Sequence, residues 1–401
     1  MEFQPIMRAL WRNRTGAVLV ALQIALALAI VVNSLYIIVQ RLEHMGRDPG
    51  LDVANTFMVS FAPTGSAFNA EVAMREDVEL LRALPGVVDA TTINAIPLSG
   101  GGSSTMYYTE PGEKGREAPG NYFEVDEHGV STLGVRLVEG RNFDASVVTR
   151  LPANSSAFVP EIIVTRTFAK ELFPDEPALG RTVYDGLGQP TRIVGILERM
   201  HGAWVSWDKL ENVVLHPLLA NERFAVYLVR AQPGQRDAVM RLAEEKLSAI
   251  DNGRILLKVK SLEEFAANSY ADDRAMTVYL SVVVGLLLAI SALGIFGLAA
   301  FNVSTRTKQI GTRRAVGARR FDIVRYFMVE NWVVTSVGVL AGCVLALALG
   351  YWLSSVFELP RLKLYYLVAG MAVLWVIGLA AAVWPARRAA RVSPAVATRT
   401  V

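Results

Sequence analysis

The side chains best suited to chemistry are few and scattered in this chain of 401 residues. Its four histidines, His44, His128, His201 and His216, stand far apart, and Cys343 has no second cysteine, so neither zinc-ligand spacing nor an intramolecular disulfide is available. No glycine is followed by lysine, which excludes a GxxxxGK[ST] phosphate loop, and no G-x-S-x-G elbow occurs. The glycines within Ser99–Ser104 read as a flexible loop, because a phosphate cradle wants a helix N-terminus and usually a lysine. The acidic clusters Glu76-Asp77-Glu79, Glu244-Glu245 and Asp272-Asp273 read as solvated. The chain is expected to carry no catalytic residue, metal or cofactor of its own, and not to be an enzyme.

What the chain does concentrate is arginine, and the elements around it explain where. Four uncharged apolar runs lie at Ala17–Val39, Ala275–Val303, Asn331–Phe357 and Leu364–Ala386. Each meets the ~20 residues a helix needs to cross ~30 Å of hydrocarbon. Mid-membrane charges cost a few kcal/mol each, and these runs hold none. The spans therefore also lack the buried acid, lysine or histidine of a proton-driven transporter. The first run is read as a retained anchor, since it is too long for a signal-peptide core and shows no small-residue cleavage site.

Charge sets the orientation. Arg8, Arg12 and Arg14 precede the first span; Arg306, Lys308, Arg313, Arg314, Arg319, Arg320 and Arg325 lie between the second and third; Arg387, Arg388, Arg391 and Arg399 follow the fourth. Lys and Arg are enriched on the cytoplasmic side, so both termini and residues 304–330 are expected there and 41–274 outside. That outer segment carries 33 acids against 24 bases, a net of −9 inside a chain of net +3. Basic clusters that flank spans point to lipid headgroups, not nucleic acid.

The expected layout is an amphipathic helix at 1–14, with Phe3, Ile6, Met7, Leu10 and Trp11 on one face. Spans follow at 15–40, 275–303, 331–357 and 364–386, with a cytoplasmic tail at 387–401. The outer domain reads as α+β. Thr56–Phe61, Val87–Ile93, Phe224–Arg230 and Arg254–Val259 read as strands, with amphipathic helices at Asn69–Leu84 and Gln235–Ile250. Two such β-α-β units, at 50–95 and 219–262, bracket a more β-rich insertion at 96–218, with candidate strands at Leu133–Leu137, Ile162–Val164, Thr182–Tyr184, Arg192–Ile196 and Asn212–Leu215 and a short helix at Thr167–Phe173.

Small residues repeat every fourth position in the spans: Ala17, Ala21, Ala25 and Ala29, ending on Asn33, in the first, and Gly338, Gly342, Ala346 and Gly350 in the third. Such stripes let helices approach closely where lipid supplies no hydrophobic drive. Their partner, a sister helix or another subunit, is left open.

The segment from Thr307 reads TKQIGTRRAVGARRFDIV. It resembles the cytoplasmic loop of the MacB-like/FtsX-like permeases of ABC transporters, usually Glu-Ile-Gly-x-Arg-Arg-Ala-x-Gly-Ala, with Gln309, Ile310, Gly311, Arg313, Arg314, Ala315, Gly317 and Ala318 at the matching positions. Leu84-Pro85-Gly86-Val87, Gly140-Arg141-Asn142-Phe143, Phe168–Phe173, Leu179-Gly180-Arg181 and Val194-Gly195-Ile196 are similar, in order, to that family's periplasmic core. The resemblance implies a four-span permease of the inner membrane with porter-like and sabre-like outer parts. It implies pairing with a second permease subunit, the same chain or a homologous one, and a separate cytoplasmic ABC ATPase that binds ATP and Mg and docks on this loop. ATP-driven export or mechanotransmission, with movement relayed to the outer domain, is the leading expectation, and a periplasmic adaptor is an optional further partner; an FtsX-like regulator of a cell-wall hydrolase and a subunit sensing antimicrobial peptides are the alternatives. Gln309 departs from the usual Glu, removing a charge the docking contact would otherwise use.

The orientation predicts an unequal labelling result. In a Cys343→Ala background, an impermeant thiol reagent on intact spheroplasts should label Ser156→Cys and spare Thr307→Cys; the reverse pattern overturns the assignment.

Overall fold

The computed structural model describes residues 14–64, 69–152, 158–221, 225–250, 253–357 and 362–393, so the expected helix at 1–14 and Ser156 lie outside the described residues. The chain divides into two units, residues 1–46 with 273–401, and residues 47–272.

In the first unit the apolar runs form four long helices, Arg14–Met45, Ala271–Thr305, Arg320–Phe357 and Leu364–Ala389. A helix satisfies its own backbone hydrogen bonds, which lipid cannot do for it. Each extends past its apolar run into charged residues, and the third does so most. Residues 320–330, expected within a loop, are helical, and this brings Glu330 inside the packed bundle.

The first and third spans lie in parallel register, backbone against backbone. A Cβ added at Gly338 would stand 2.7 Å from the Ala21 carbonyl oxygen, and one at Gly342 would stand 2.9 Å from that of Ala25. Asn33 closes the seam, its Nδ2 donating to the carbonyls of Ala29 at 2.8 Å and Ala346 at 3.1 Å. The fourth span joins through Gly370 beside Val32 and through Asn331, whose Nδ2 donates to Gly378 O at 2.9 Å. Ile24, Leu28, Val32, Val339 and Leu374 fill the space between them.

The second span is different. Val278, Tyr279, Val282, Leu286, Ile290 and Leu293 are exposed along it, and only a narrow seam through Ser291, Ile295 and Ala299 is buried. Polar contacts hold it. Asp273 meets Arg41 and His44 at its start, and Gln23 Nε2 donates to Ile290 O at 2.8 Å beside Gly294, where a side chain would collide with the Gln23 amide. Asp273, expected to be solvated, is buried.

The second unit opens with β1 (Thr56–Pro63), α1 (Ala70–Ala83) and β2 (Val87–Thr92). A long hairpin follows, β3 (Ser103–Glu110) and β4 (Lys114–Glu124), then α2 (Gly129–Leu133), β5 (Leu137–Gly140), β6 (Thr149–Pro152), β7 (Glu161–Thr165) and α3 (Arg166–Leu172). The remainder is β8 (Thr182–Tyr184), β9 (Pro190–Leu197), β10 (Val213–His216), β11 (Leu218–Asn221), β12 (Ala225–Ala231), α4 (Arg236–Ser248), β13 (Arg254–Ser261) and α5 (Leu262–Ser269). Both ends of the segment build one antiparallel sheet, ordered β13-β1-β12-β2, with α1 and α4 on one face. The middle builds a mixed sheet, ordered β5-β9-β7-β10-β4-β3-β8, in which β8 also pairs with β9 and closes six strands on themselves around Phe168 and Leu172 of α3. Met58 and Leu228, alternating with residues that face the helices, share a core with Phe123, Leu197 and Leu215 of the mixed sheet.

Three expectations change here. Ser103 and Ser104 open β3 rather than ending a loop, and residues 133–137 are a helix end turned by Gly134 at φ +67°, with the strand starting only at Leu137. Asp77, read as solvated, is fully buried, accepting from Tyr227 Oη at 2.6 Å and paired with Arg254. His201 and His216 are also interior; desolvation pushes each down to about 4, so both are neutral at pH 7, and His216 Nε2 lies 2.7 Å from Tyr107 Oη.

Gly342→Leu should destabilise the protein by about 1–3 kcal/mol, the usual range for overpacking, because no relaxation can restore the Ala25 contact without parting the backbones. Leu340→Ala, at an exposed position, should be mild. Equal melting temperatures for the two purified variants would refute the packing account.

Candidate functional site

Between the second and third spans the chain folds into a short connecting helix, Thr307–Ala315, followed by a turn. Nine residues cannot sustain a helix alone in water. Its start is secured by Thr307, whose Oγ1 donates to Val303 O at 3.1 Å. Ile310 and Gly311 are buried, with Ile310 among Val303, Ile323, Phe327, Ala386 and Ala389, which come from three spans. Arg314 Nη1 donates to Ala390 O at 3.1 Å and Val392 O at 2.8 Å, capping the orphan carbonyls where the fourth span ends. Arg313 lies over the Tyr326 ring at 4.8 Å.

The end of this helix is a Schellman motif. Ala318 N donates to Arg313 O at 3.0 Å and Gly317 N to Arg314 O at 3.2 Å, with Gly317 at φ +106°. Nothing crowds that glycine, so the requirement is for its backbone angle, not for space. Gly311 lies inside the helix.

The residues singled out in sequence thus divide by face. Ile310 and Gly311 are buried and Arg314 and Ala318 half-buried, while Gln309, Arg313, Ala315 and Gly317 are exposed. The small residues of the spans, Ala21, Ala25, Ala29, Gly338, Gly342, Ala346 and Gly350, lie instead along the seam between the first and third spans.

Sequence reasoning missed the pair that roots the connecting helix. Arg306 Nη1 donates to Glu330 Oε2 at 2.9 Å, and Asn302 Nδ2 to Glu330 Oε1 at 3.3 Å, with Glu330 3% exposed. Its signal was Glu330 being the last charge before an uncharged run. Phe321, 71% exposed near Val316 at 84%, was also missed. Among the described residues, no group of three or more His, Cys, Asp or Glu is arranged to hold a metal ion.

With this geometry in view, the comparisons with known proteins are decisive. Residues 17–246 match the MacB-like periplasmic core domain and residues 281–394 the FtsX-like permease C-terminal region. The chain belongs to the MacB/FtsX family of ABC transporter permeases. The permease is 29% identical over 278 residues to a macrolide export ATP-binding/permease protein MacB of Agrobacterium fabrum, covering 65% of this chain and 40% of that protein. It is 27% identical over 243 residues to the uncharacterised ABC transporter permease YknZ of Bacillus subtilis, covering 59% of this chain and 61% of that one. The periplasmic region of MacB from Actinobacillus actinomycetemcomitans aligns at 14% identity and a TM-score of 0.33, covering 56% of this chain and 97% of that structure. The permease spans less than half the length of the MacB relatives it matches.

Removing one member of a buried ion pair strands the other, at about 3–5 kcal/mol, whereas replacing both can be neutral. Arg306→Met should therefore destabilise the permease strongly and Arg306→Met/Glu330→Met should recover most of the loss. Additive effects in that double-mutant cycle would show that the two charges act independently.

Proposed function

We propose that this chain is the permease subunit of an ATP-driven complex in the inner (cytoplasmic) membrane. A separate cytoplasmic ABC ATPase, binding ATP and Mg, docks on the connecting helix, and the motion it imposes is relayed through the spans to the outer domain for export. One observation carries the reading. The connecting helix is exposed on one face and fastened on the other, through Ile310, Arg314 and the Arg306–Glu330 pair, to the second, third and fourth spans. A push on it moves the bundle and is not absorbed by a slack loop.

The charge asymmetry supports placing both termini and the connecting helix in the cytoplasm, which puts the segment between the first and second spans on the other side. The names of the MacB relatives support export as the output. The complex is proposed to hold a second permease subunit, the same chain or a homologous one, and a periplasmic adaptor. This chain contributes neither nucleotide nor metal chemistry, contacts membrane lipids and binds no nucleic acid.

Gly317→Leu tests the docking reading. An L side chain at φ +106° is strained, so the helix end and the exposed face it presents should distort. The variant should insert normally yet stimulate ATP hydrolysis by the co-purifying ATPase about tenfold less, on the order of 1.4 kcal/mol of coupling. Undiminished stimulation in nanodiscs would move the docking site elsewhere.

A further inference from the structure

In the outer unit, β1 follows the chain's entry from the first span, and β13 and α5 precede its exit to the second. The closed sheet is an insertion between β2 and β12, and by connectivity alone it would ride on the four-stranded sheet as a passenger. The hydrogen bonds run otherwise. The turn Arg199–Ala203, which follows β9 of the closed sheet, holds both connections at once.

On the entry side, His201 N donates to Pro49 O at 2.9 Å, four residues after the first-span helix ends at Met45. Backbone lies on backbone here: Gly50 sits at φ +69°, and a Cβ on it would stand 2.4 Å from Arg199 O. On the exit side the turn grips the segment that leads from β2 into the insertion. Leu98 N donates to Gly202 O at 3.0 Å and Gly100 N to Ala203 O at 2.9 Å. The Leu98 carbonyl in turn accepts from Ser269 Oγ at 2.6 Å, two residues before the second-span helix begins at Ala271. All of these contacts fall within the 47–272 unit.

The turn is also tied firmly to the closed sheet. Ala203 N donates to Asn121 Oδ1 of β4 at 2.7 Å. Arg199 Nε lies 3.5 Å from Glu211 Oε1, and the other Glu211 oxygen accepts from Thr167 Oγ1 of α3 at 2.8 Å. Met200 and Ala203 are fully buried in the core that holds Phe123 and Leu215. Leu98 shows how tightly the parts are held. It is 2% exposed and sits at φ +59°, a left-handed backbone that leucine avoids. Such a residue persists only where its surroundings over-determine it, and the bonds on its N–H and its carbonyl do so here.

We infer that Arg199–Ala203 is a yoke, which makes the closed sheet answer directly to the separation of the chain's entry and exit. A motion that parts the two spans pulls Pro49 and Ser269 apart. The turn must then tilt, carrying the closed sheet with it, or release one arm. Gly50 and Ser269 are the positioning residues of the two arms, the first by its close approach and the second by its hydroxyl. The inference rests on the relay proposed above and names the part of the outer domain that receives it.

The first test needs no nucleotide. In the full-length permease held in nanodiscs, amide hydrogen exchange is followed in the peptides covering residues 96–102 and 199–203. Ser269→Ala should speed exchange about fivefold in the first peptide, and in the second as well, at the His201 amide of the opposite arm. Ser269→Thr, which keeps the hydroxyl, should stay near wild type. Gly50→Ala, which forces the entry off Arg199 O, should by reciprocity speed exchange at Leu98 and Gly100. Changes confined to the mutated arm overturn the yoke. If Gly50→Ala fails to fold, Ser269→Ala and its rescue by threonine decide. The second test places spin labels, in a Cys343→Ala background, at Val72→Cys on α1 and Leu187→Cys between β8 and β9, both exposed positions. Trapping nucleotide on the co-purifying ATPase should change the distance between the labels, and Ser269→Ala should cut that change at least twofold. A fixed distance while ATP is hydrolysed, or an undiminished change in Ser269→Ala, makes the closed sheet a passenger and overturns the inference. Exchange coupling between the arms in a permease that stimulates no ATP hydrolysis supports the yoke and retires the ATP-driven reading alone.

Discussion

The membrane unit depends on how closely the first and third spans approach. Lipid tails are as apolar as leucine, so burying leucine between spans gains little over leaving it in the bilayer, and association must come from dispersion and hydrogen bonding at short range. Gly338 and Gly342 let the third span rest on the Ala21 and Ala25 carbonyls of the first, and Asn33 then spans the seam to Ala346 O. Asn33 also fixes register. Sliding one helix by a turn would leave its amide without the Ala346 acceptor in a dry interior, where an unmade hydrogen bond is expensive. The fourth span packs onto this pair and completes a three-helix core.

The second span follows a different rule. With little packing to hold it, it relies on polar contacts spaced along its length: Asp273 with Arg41 and His44 at one end, Gln23 at Ile290 in the middle, and Asn302 and Arg306 with Glu330 at the other. Polar contacts in a low dielectric are strong when made and discrete in geometry. A helix so held has few intermediate positions, which suits an element that continues into the connecting helix. Broad packing would have given that helix rigidity without alternatives.

Much of this was legible in the sequence because its cause is local. Uncharged length marks the spans, and the four-residue spacing of Gly and Ala marks the seam. The first sheet of the outer unit was readable from period and punctuation, its strands and helices ending at Pro85-Gly86 and Pro233-Gly234. The closed sheet was harder. β4 runs Lys-Gly-Arg-Glu-Ala-Pro-Gly-Asn-Tyr-Phe-Glu, which has almost no strand propensity in its first half, and is held there by the hairpin to β3 and by β10 on its other side. Asp273 and Asp77 were misread, and the burial of Glu330 missed, for one shared reason. A carboxylate is buried only when a cation reaches it, and Arg306, Arg41 and Arg254 come from 24, 232 and 177 residues away. No window of sequence contains both partners.

The connecting helix unites these themes. Its own propensity is poor, with Gly311 inside it and arginines clustered at its C-terminal end, where only the macrodipole favours them. Everything that makes it a helix comes from the spans: the Ile310 socket, the carbonyls that Arg314 caps, and the Arg306–Glu330 pair at its root. Its conformation is therefore a function of how the three spans sit together. If they shift, the socket and the cap shift with them, and so does the face that carries Gln309, Arg313 and Val316. The relation runs both ways, since by thermodynamic reciprocity anything that binds the face in one geometry must favour the arrangement of spans that creates it. A segment that borrows its structure from the membrane bundle is, for that reason, in a position to bias it.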